Sequence, residues 1–390
     1  MSGACLIELN GLTWDNPRGY EPLVATLPQF YEKHENMSIS WEKRSLNEFG
    51  DTPLHEFASE YDLIIIDHPS IGEAVRSGDL INLDKIIANH EPCMKASNYV
   101  GKSFESYRYG GHLWALPIDA ACQVSARRND MISHPPSSWE DVLTLSRNQA
   151  KEDLPIVALP SDPTSCFCTF YSIYANIVDQ PYADKKLLDI TKTIRVLDLI
   201  QKIFDFVKYN LIGYDPPTLL DEMSTTDEIM YIPLIFGYSN YSRRGYRDHL
   251  IHFGNIPSFC QRPKGSILGG AGISISKSCE FVPLALSYVK WITSSEVQEG
   301  YYFLSGGQPA HEHAWGSTRV NSLSNSFFAS TRTTIENASL RPRSPGFLDV
   351  QIESGKVIYE YIRDNSKTKQ ASRQLADIAQ DYLKNNSFEI

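Results

Sequence analysis

The chain has 390 residues, enough for two domains or one large two-lobed unit rather than one ordinary core. Its 36 basic and 47 acidic residues leave a net charge of -11 with no Lys/Arg block, which argues against nucleic acid and anionic membranes as partners. The longest apolar run, Leu63–Ile66, is far too short to span a bilayer.

Along the first hundred residues strand and helix signals alternate. Residues 6–12 read as a strand, and Trp14 to Tyr20 as a polar turn. A helix follows with Leu23, Val24, Leu27, Phe30 and Tyr31 on one face, and Pro28 is expected to kink or break it. Ser38–Trp41 alternates like a strand. Residues 62–66 read as a buried strand closed by Asp67-His68-Pro69-Ser70, with a short helix after it that stops at Gly78. This alternation predicts a largely parallel sheet with helical crossovers. In such sheets ligands collect at the carboxyl ends of strands, which singles out the loops at 14–20 and 67–70.

Further on, Ile190, Ile194, Leu197, Ile200, Ile203, Phe204 and Val207 mark the buried side of a helix over 189–209. Residues 229–241 read as a strand entering an aromatic loop. Another helix starts near Pro283, and a last one carries Leu375, Ile378, Ala379, Tyr382 and Leu383.

The order of motifs resembles the bacterial extracellular solute-binding proteins of the maltose-binding type, which deliver solutes to ABC importers. Gly11-Leu-Thr-Trp14 through Arg18-Gly19-Tyr20 resembles the family's first strand and ligand loop. Tyr109-Gly-Gly-His-Leu-Trp-Ala-Leu-Pro-Ile-Asp119 resembles its entry into the second lobe, and Pro136-Ser-Ser-Trp139-Glu-Asp141 the helix start that follows. Gly269-Gly270-Ala-Gly272-Ile-Ser-Ile-Ser276, residues 288–298, Gly306-Gly-Gln-Pro-Ala310 and Arg341-Pro342 complete the pattern. Two departures are plain. No export leader precedes residue 6, and the strand after Asp119 lacks the usual Tyr-Asn ending.

The resemblance implies an α/β fold of the two-lobed, type II periplasmic-binding-protein kind. Lobe 1 would take residues 1–115 and 265–312, and lobe 2 residues 118–262 and 318–390, with hinges near 115–119, 262–269 and 311–318. It implies non-catalytic binding of a small polar solute, a sugar by preference, in the cleft between the lobes. An ABC permease is the implied partner; a monomer without cofactor or metal is expected. Seven cysteines without regular spacing and the missing leader point to the cytoplasm, or to a periplasmic or other extracytoplasmic site if a signal peptide has been removed. A cytosolic solute sensor or carrier is the alternative.

The expected ligand residues follow from chemistry and position. Trp14 offers a flat face for a sugar ring, Arg18 a fork of donors, and Asp15 a carboxylate in the same loop. Gly19 lets the backbone come close. Asp67 and His68 follow a buried strand, and a carboxylate there accepts hydroxyl hydrogen bonds. The resemblance puts Asp119 at the cleft, and Asp119→Ala is expected to weaken binding more than about tenfold without unfolding the chain. Tyr238, Asn240 and Tyr241 supply stacking and amide groups, Gly269, Gly270 and Gly272 backbone amides or, more in keeping with their spacing, a hinge or tight turn, and Arg341 either a cleft contact or a pin for the late helices.

Enzyme signatures are sparse. No Gly-x-Ser-x-Gly, phosphate loop or His-Glu-x-x-His occurs. His311-Glu312-His313 would set its imidazoles on opposite faces of a strand, and Cys166-Phe-Cys168 lacks a second ligand pair. One enzyme reading stays open. Some proteins of this fold, of the thiaminase I type, use a cleft cysteine, and Cys122 lies just past the apparent lobe crossing. The commoner reading is a buried inert thiol.

Overall fold

A computed structural model describes residues 6–45, 48, 54–152, 156–179, 181–182, 188–208, 211–260, 262–364 and 367–385; the side chains of 150–152 and 385 lie outside the description. The chain divides into two compact units. Unit 1 comprises Met1–Ala120, Gly269–Val320 and Arg343–Pro345; unit 2 comprises Ala121–Leu268, Asn321–Pro342 and Gly346–Ile390. No helix among the described residues is long and apolar enough to cross a membrane.

In unit 1, strands β1 (Ile7–Trp14), β2 (Met37–Arg44) and β3 (Leu63–Ile66) pair in parallel in the order β2-β1-β3. A later strand, β10 (Leu268–Ile275), adds antiparallel to β3, with Ile275 opposite Leu63. β3 is aliphatic throughout and essentially without solvent exposure, as expected for a strand covered on both faces. Each of its side chains contributes roughly 1.5–3 kcal/mol by burial.

Helix α1 (Pro17–Tyr31) returns the chain from β1 to β2. It starts inside the segment read as a turn. Asn16 caps it by accepting the Arg18 N–H, and Pro17 fills the first position, where a missing N–H costs nothing. The helix also runs through Pro22 and Pro28 without ending, contrary to the expected break. Its apolar face (Leu23, Leu27, Phe30) is buried, and that packing outweighs the backbone bonds the prolines forgo. Past β3, Asp67 caps a short turn, and helix α2 (Ile71–Ser77) ends at Gly78 with φ +80. The hairpin of β4 (Arg108–Tyr109) and β5 (His112–Leu113) leads into β6 (Leu116–Arg128), along which the chain passes into unit 2.

Unit 2 orders its strands β9-β6-β8-β7: β8 (Ile229–Phe236) and β9 (Ile251–Gly254) lie antiparallel to β6, and β7 (Ile156–Val157) parallel to β8. Helices α3 (Trp139–Glu152), α4 (Pro163–Ile177), α5 (Ile190–Phe204), α9 (Phe347–Asp364) and α10 (Thr368–Asn385) belong to this unit, with α6 (Pro216–Thr225) before β8 and α8 (Phe327–Glu336) after β9. Phe167, Tyr171, Tyr182 and Phe347 are central to its core. α5 ends at Phe204, earlier than its apolar pattern suggested; Tyr209 lies outside the described residues. The helix near Pro283 is α7 (Val282–Ile292), in unit 1.

Two further expectations are corrected. Gly269, Gly270 and Gly272 form part of β10 rather than a turn. Gly272 is required there because a Cβ would lie 2.6 Å from the Tyr107 ring, and Gly270 holds φ +103 within the strand. His311 caps a short helix instead of sitting in a strand, and the rings of His311 and His313 meet edge to face with centroids 5.1 Å apart.

Candidate functional site

The carboxyl end of β1 and the start of α1 are locked together. Trp14 is the last residue of β1, not a loop residue, and its ring lies where a Cβ on Gly19 would come within 2.4 Å. Thr13 Oγ1 donates to the Gly19 carbonyl at 3.0 Å. Glycine therefore serves helix-to-strand packing here. Trp14 is 5% exposed, so in this conformation it offers little face to a ligand.

That close approach carries Arg18 to Asp119. Arg18 Nε donates to Asp119 Oδ2 at 2.7 Å and Nη2 to Oδ1 at 2.5 Å, a two-pronged pair from residues 5% and 1% exposed. Burial raises the Asp119 carboxyl above its ordinary value; the Arg18 guanidinium opposes that shift, and the nearby Asp67 charge adds to it. Asp119 is itself held in place. The Ala120 N–H donates to the Gln308 carbonyl, Gln308 Nε2 donates back to the Ala120 carbonyl at 2.9 Å, and Asp119 bridges to Pro309. The Gly306–Ala310 segment thus builds the site's support. Tyr302, fully buried, senses the charges of both Asp119 and Arg18, and Gly307 leaves room for its ring. The sequence reading did not single out Tyr302. The neighbouring Gly-Gly was its one signal.

Asp67 caps the turn after β3 through Oδ1, which accepts the His68 N–H at 2.8 Å and lies 3.2 Å from His68 Nδ1. Its side chain keeps 16% exposure while His68 has none. The His68 ring meets Tyr107 edge-on at 6.4 Å. Asp15 departs from the cluster: it is mostly exposed and pairs with Lys43 at 2.7 Å. Trp114, partly exposed, donates Nε1 to the Tyr109 carbonyl at 3.0 Å and so is fixed by the hairpin ahead of β6.

In unit 2, Tyr238, Asn240 and Tyr241 lie in the β8–β9 connection, all largely buried. Tyr241 donates its hydroxyl to Asp221 Oδ1 at 2.8 Å, and Arg247 donates to the same oxygen at 2.7 Å while stacking over Tyr246 at 4.6 Å. Asn240 Oδ1 is buried with no donor among the described residues. Arg341 is buried and gives Nη1 to Gln351 Oε1 at 3.0 Å; this bond ties it to α9. Cys122 is buried as well. Burial pushes its thiol up to about 12, against a small opposing effect of the Ser266 hydroxyl. Among the described residues no cluster of three or more His, Cys, Asp or Glu could hold a metal ion.

Of the expected ligand residues, unit 1 gathers Trp14, Arg18, Gly19, Asp67 and Asp119, with His68 beneath. Asp15 faces solvent. Gly269 and Gly270 lie in β10, and Tyr238, Asn240 and Arg341 belong to unit 2.

No known protein-family profile matches the chain. Solved structures do. Maltose-bound MalE3 of T. maritima aligns over 96% of this chain and 100% of its own at 13% identity, with a TM-score of 0.83. An ABC transporter solute-binding protein from Agrobacterium radiobacter K84 in complex with ribitol aligns over 97% and 99% at 14% identity, TM-score 0.80. One from Thermotoga lettingae TMO bound to α-D-tagatose aligns over 97% and 100% at 14% identity, TM-score 0.81. The chain has the type II periplasmic-binding-protein fold.

Proposed function

We propose that the chain binds a small, uncharged polar solute, a sugar or polyol by preference, and releases it unchanged. The reading extends to a role as the substrate-binding component of an ABC importer. The observation that carries it is the full-length match to solved proteins holding maltose, ribitol and tagatose. The local chemistry agrees. Arg18 and Asp119 neutralise each other internally, so the loop that supplied the obvious cation offers no net charge to a ligand. Asp67 keeps partial exposure for hydroxyl donors.

A thermal-shift screen against sugars, polyols, organic acids and amines, with mass spectrometry of the recovered ligand, tests this. An intact sugar or polyol that raises the melting temperature is the expected result; a ligand returned chemically altered refutes it. The thiol-enzyme reading fares worse, because a cysteine held protonated by burial is a poor nucleophile. A cytosolic sensor would bind alike, and reconstitution with a permease separates it from transport.

A further inference from the structure

Unit 2 carries a groove of about 510 Å³ that neither the strand-end loops nor Cys122 enter. Its sides are the first turn of α3, one face of α5 and the turn at Ser258–Phe259. That volume falls within the roughly 300–1,000 Å³ of small-molecule sites. The groove is built from fixed parts. The Ser258 N–H donates to the Ser137 carbonyl at 3.1 Å and the Phe259 N–H to Asn176 Oδ1 at 2.9 Å, which clamps the Phe259 turn beside α3. The Trp139 ring lies 6.2 Å from that of Phe259, and the Arg195 guanidinium sits 4.4 Å over the Phe259 ring. Stacking of this kind fixes the guanidinium plane and leaves its N–H edge available.

The charges in the groove are unequally satisfied. Glu140 already accepts from Arg147 at 3.2 Å, and Asp198 accepts the Thr368 hydroxyl at 3.1 Å. Arg195 and Lys202, two turns apart on one face of α5, form no ion pair among the described residues. Among the described residues the buried Trp139 indole N–H has no acceptor. Two cations without a paired carboxylate among the described residues thus line one concavity of a chain whose net charge is -11.

We propose that this groove is a second binding site, for a ring-bearing carboxylate: the ring packs against the Phe259 side and the carboxylate accepts from the Arg195 edge. A carboxylate matches the guanidinium fork, and charge-assisted hydrogen bonds of this kind are roughly twice as strong as neutral ones. Lys202, about 10 Å further along α5 at 1.5 Å per residue, contributes its field rather than a contact. Asp198 lies between the two cations in sequence and opposes the anion.

Calorimetric titration with indole-3-acetate, and separately with its neutral analogue indole-3-ethanol, tests the proposal on the intact chain. Saturable one-to-one binding of the acid is expected, with the alcohol at least about tenfold weaker. Arg195→Ala should lower affinity for the acid by about tenfold or more, Lys202→Ala by less, and Asp198→Asn should raise it severalfold. Melting curves of each variant separate loss of site from loss of fold. Ribitol, the probe for the solute site, should not displace the acid. Equal affinity for acid and alcohol, an unaffected Arg195→Ala, displacement by ribitol, or no saturable binding at millimolar concentration would each overturn the proposal. Failure of ribitol to bind bears only on the solute reading.

Discussion

Asp119→Ala now carries a different expectation from the one its position in the sequence suggested. The substitution leaves the Arg18 guanidinium buried, 5% exposed, without the carboxylate that takes two of its donors at 2.7 and 2.5 Å. Removing one partner of a buried ion pair typically costs about 3–5 kcal/mol. A domain has only about 5–15 kcal/mol in total, so the loss is a large share of the stability of unit 1. For a unit of this size it corresponds to a fall in melting temperature of roughly 10 °C. The decisive comparison, by urea denaturation, is with a variant that removes both charges. Arg18→Met combined with Asp119→Leu removes both charges and keeps apolar volume, so it should recover most of what Asp119→Ala loses. If Asp119→Ala costs under about 1 kcal/mol, or if the double variant is no more stable than the single, the pair is not the buried unit described here.

Three other outcomes follow from the geometry. Gly19→Ala sets a methyl 2.4 Å from the Trp14 ring and should cost about 1–3 kcal/mol by denaturation midpoint, although alanine is the better helix former. His311 is pushed down to about 4 by burial from an unfolded value near 6.5, so the unfolded chain binds the extra proton first. Its contribution to stability is therefore complete above pH 6.5 and is lost as pH falls toward 4, by about 2–3 kcal/mol at most, and His311→Gln should flatten that part of the profile. Peptide mapping after brief alkylation at mildly alkaline pH should find the exposed Cys260 modified and Cys122, raised to about 12, untouched; equal labelling would reopen the nucleophile reading.

Much of the fold was legible because burial patterns repeat locally. β3 announced itself as four aliphatics in a row, and α5 by its apolar spacing. The start of α1 was misjudged because Asn16-Pro17 is both a turn signal and a helix start. Only the Asn16 side chain accepting from Arg18 decides between them. Gly272 of β10 read as part of a turn because its reason is a ring about 165 residues away in sequence, that of Tyr107, which local pattern does not contain. The same limit hid the partnership of Arg18 and Asp119. Each was singled out for a ligand, yet their separation of 101 residues gave no hint that they hold each other. Tyr302 left no chemical signature beyond the glycine that accommodates it.

The antiparallel seat of β10 on β3 also has a meaning for the chain during synthesis. Ser274 Oγ bonds to the Ile64 carbonyl across 210 residues, so the strand that completes the β3 edge is made long after β3 itself. At about 5–20 residues per second, some 10–40 s of translation separate them. For that interval an aliphatic edge has no partner, and all of unit 2 up to Leu268 is made in between. The nascent chain passes through a stage at which unit 2 holds most of its strands while unit 1 cannot close its sheet. Late completion of the amino-terminal unit's sheet is built into the order of its segments.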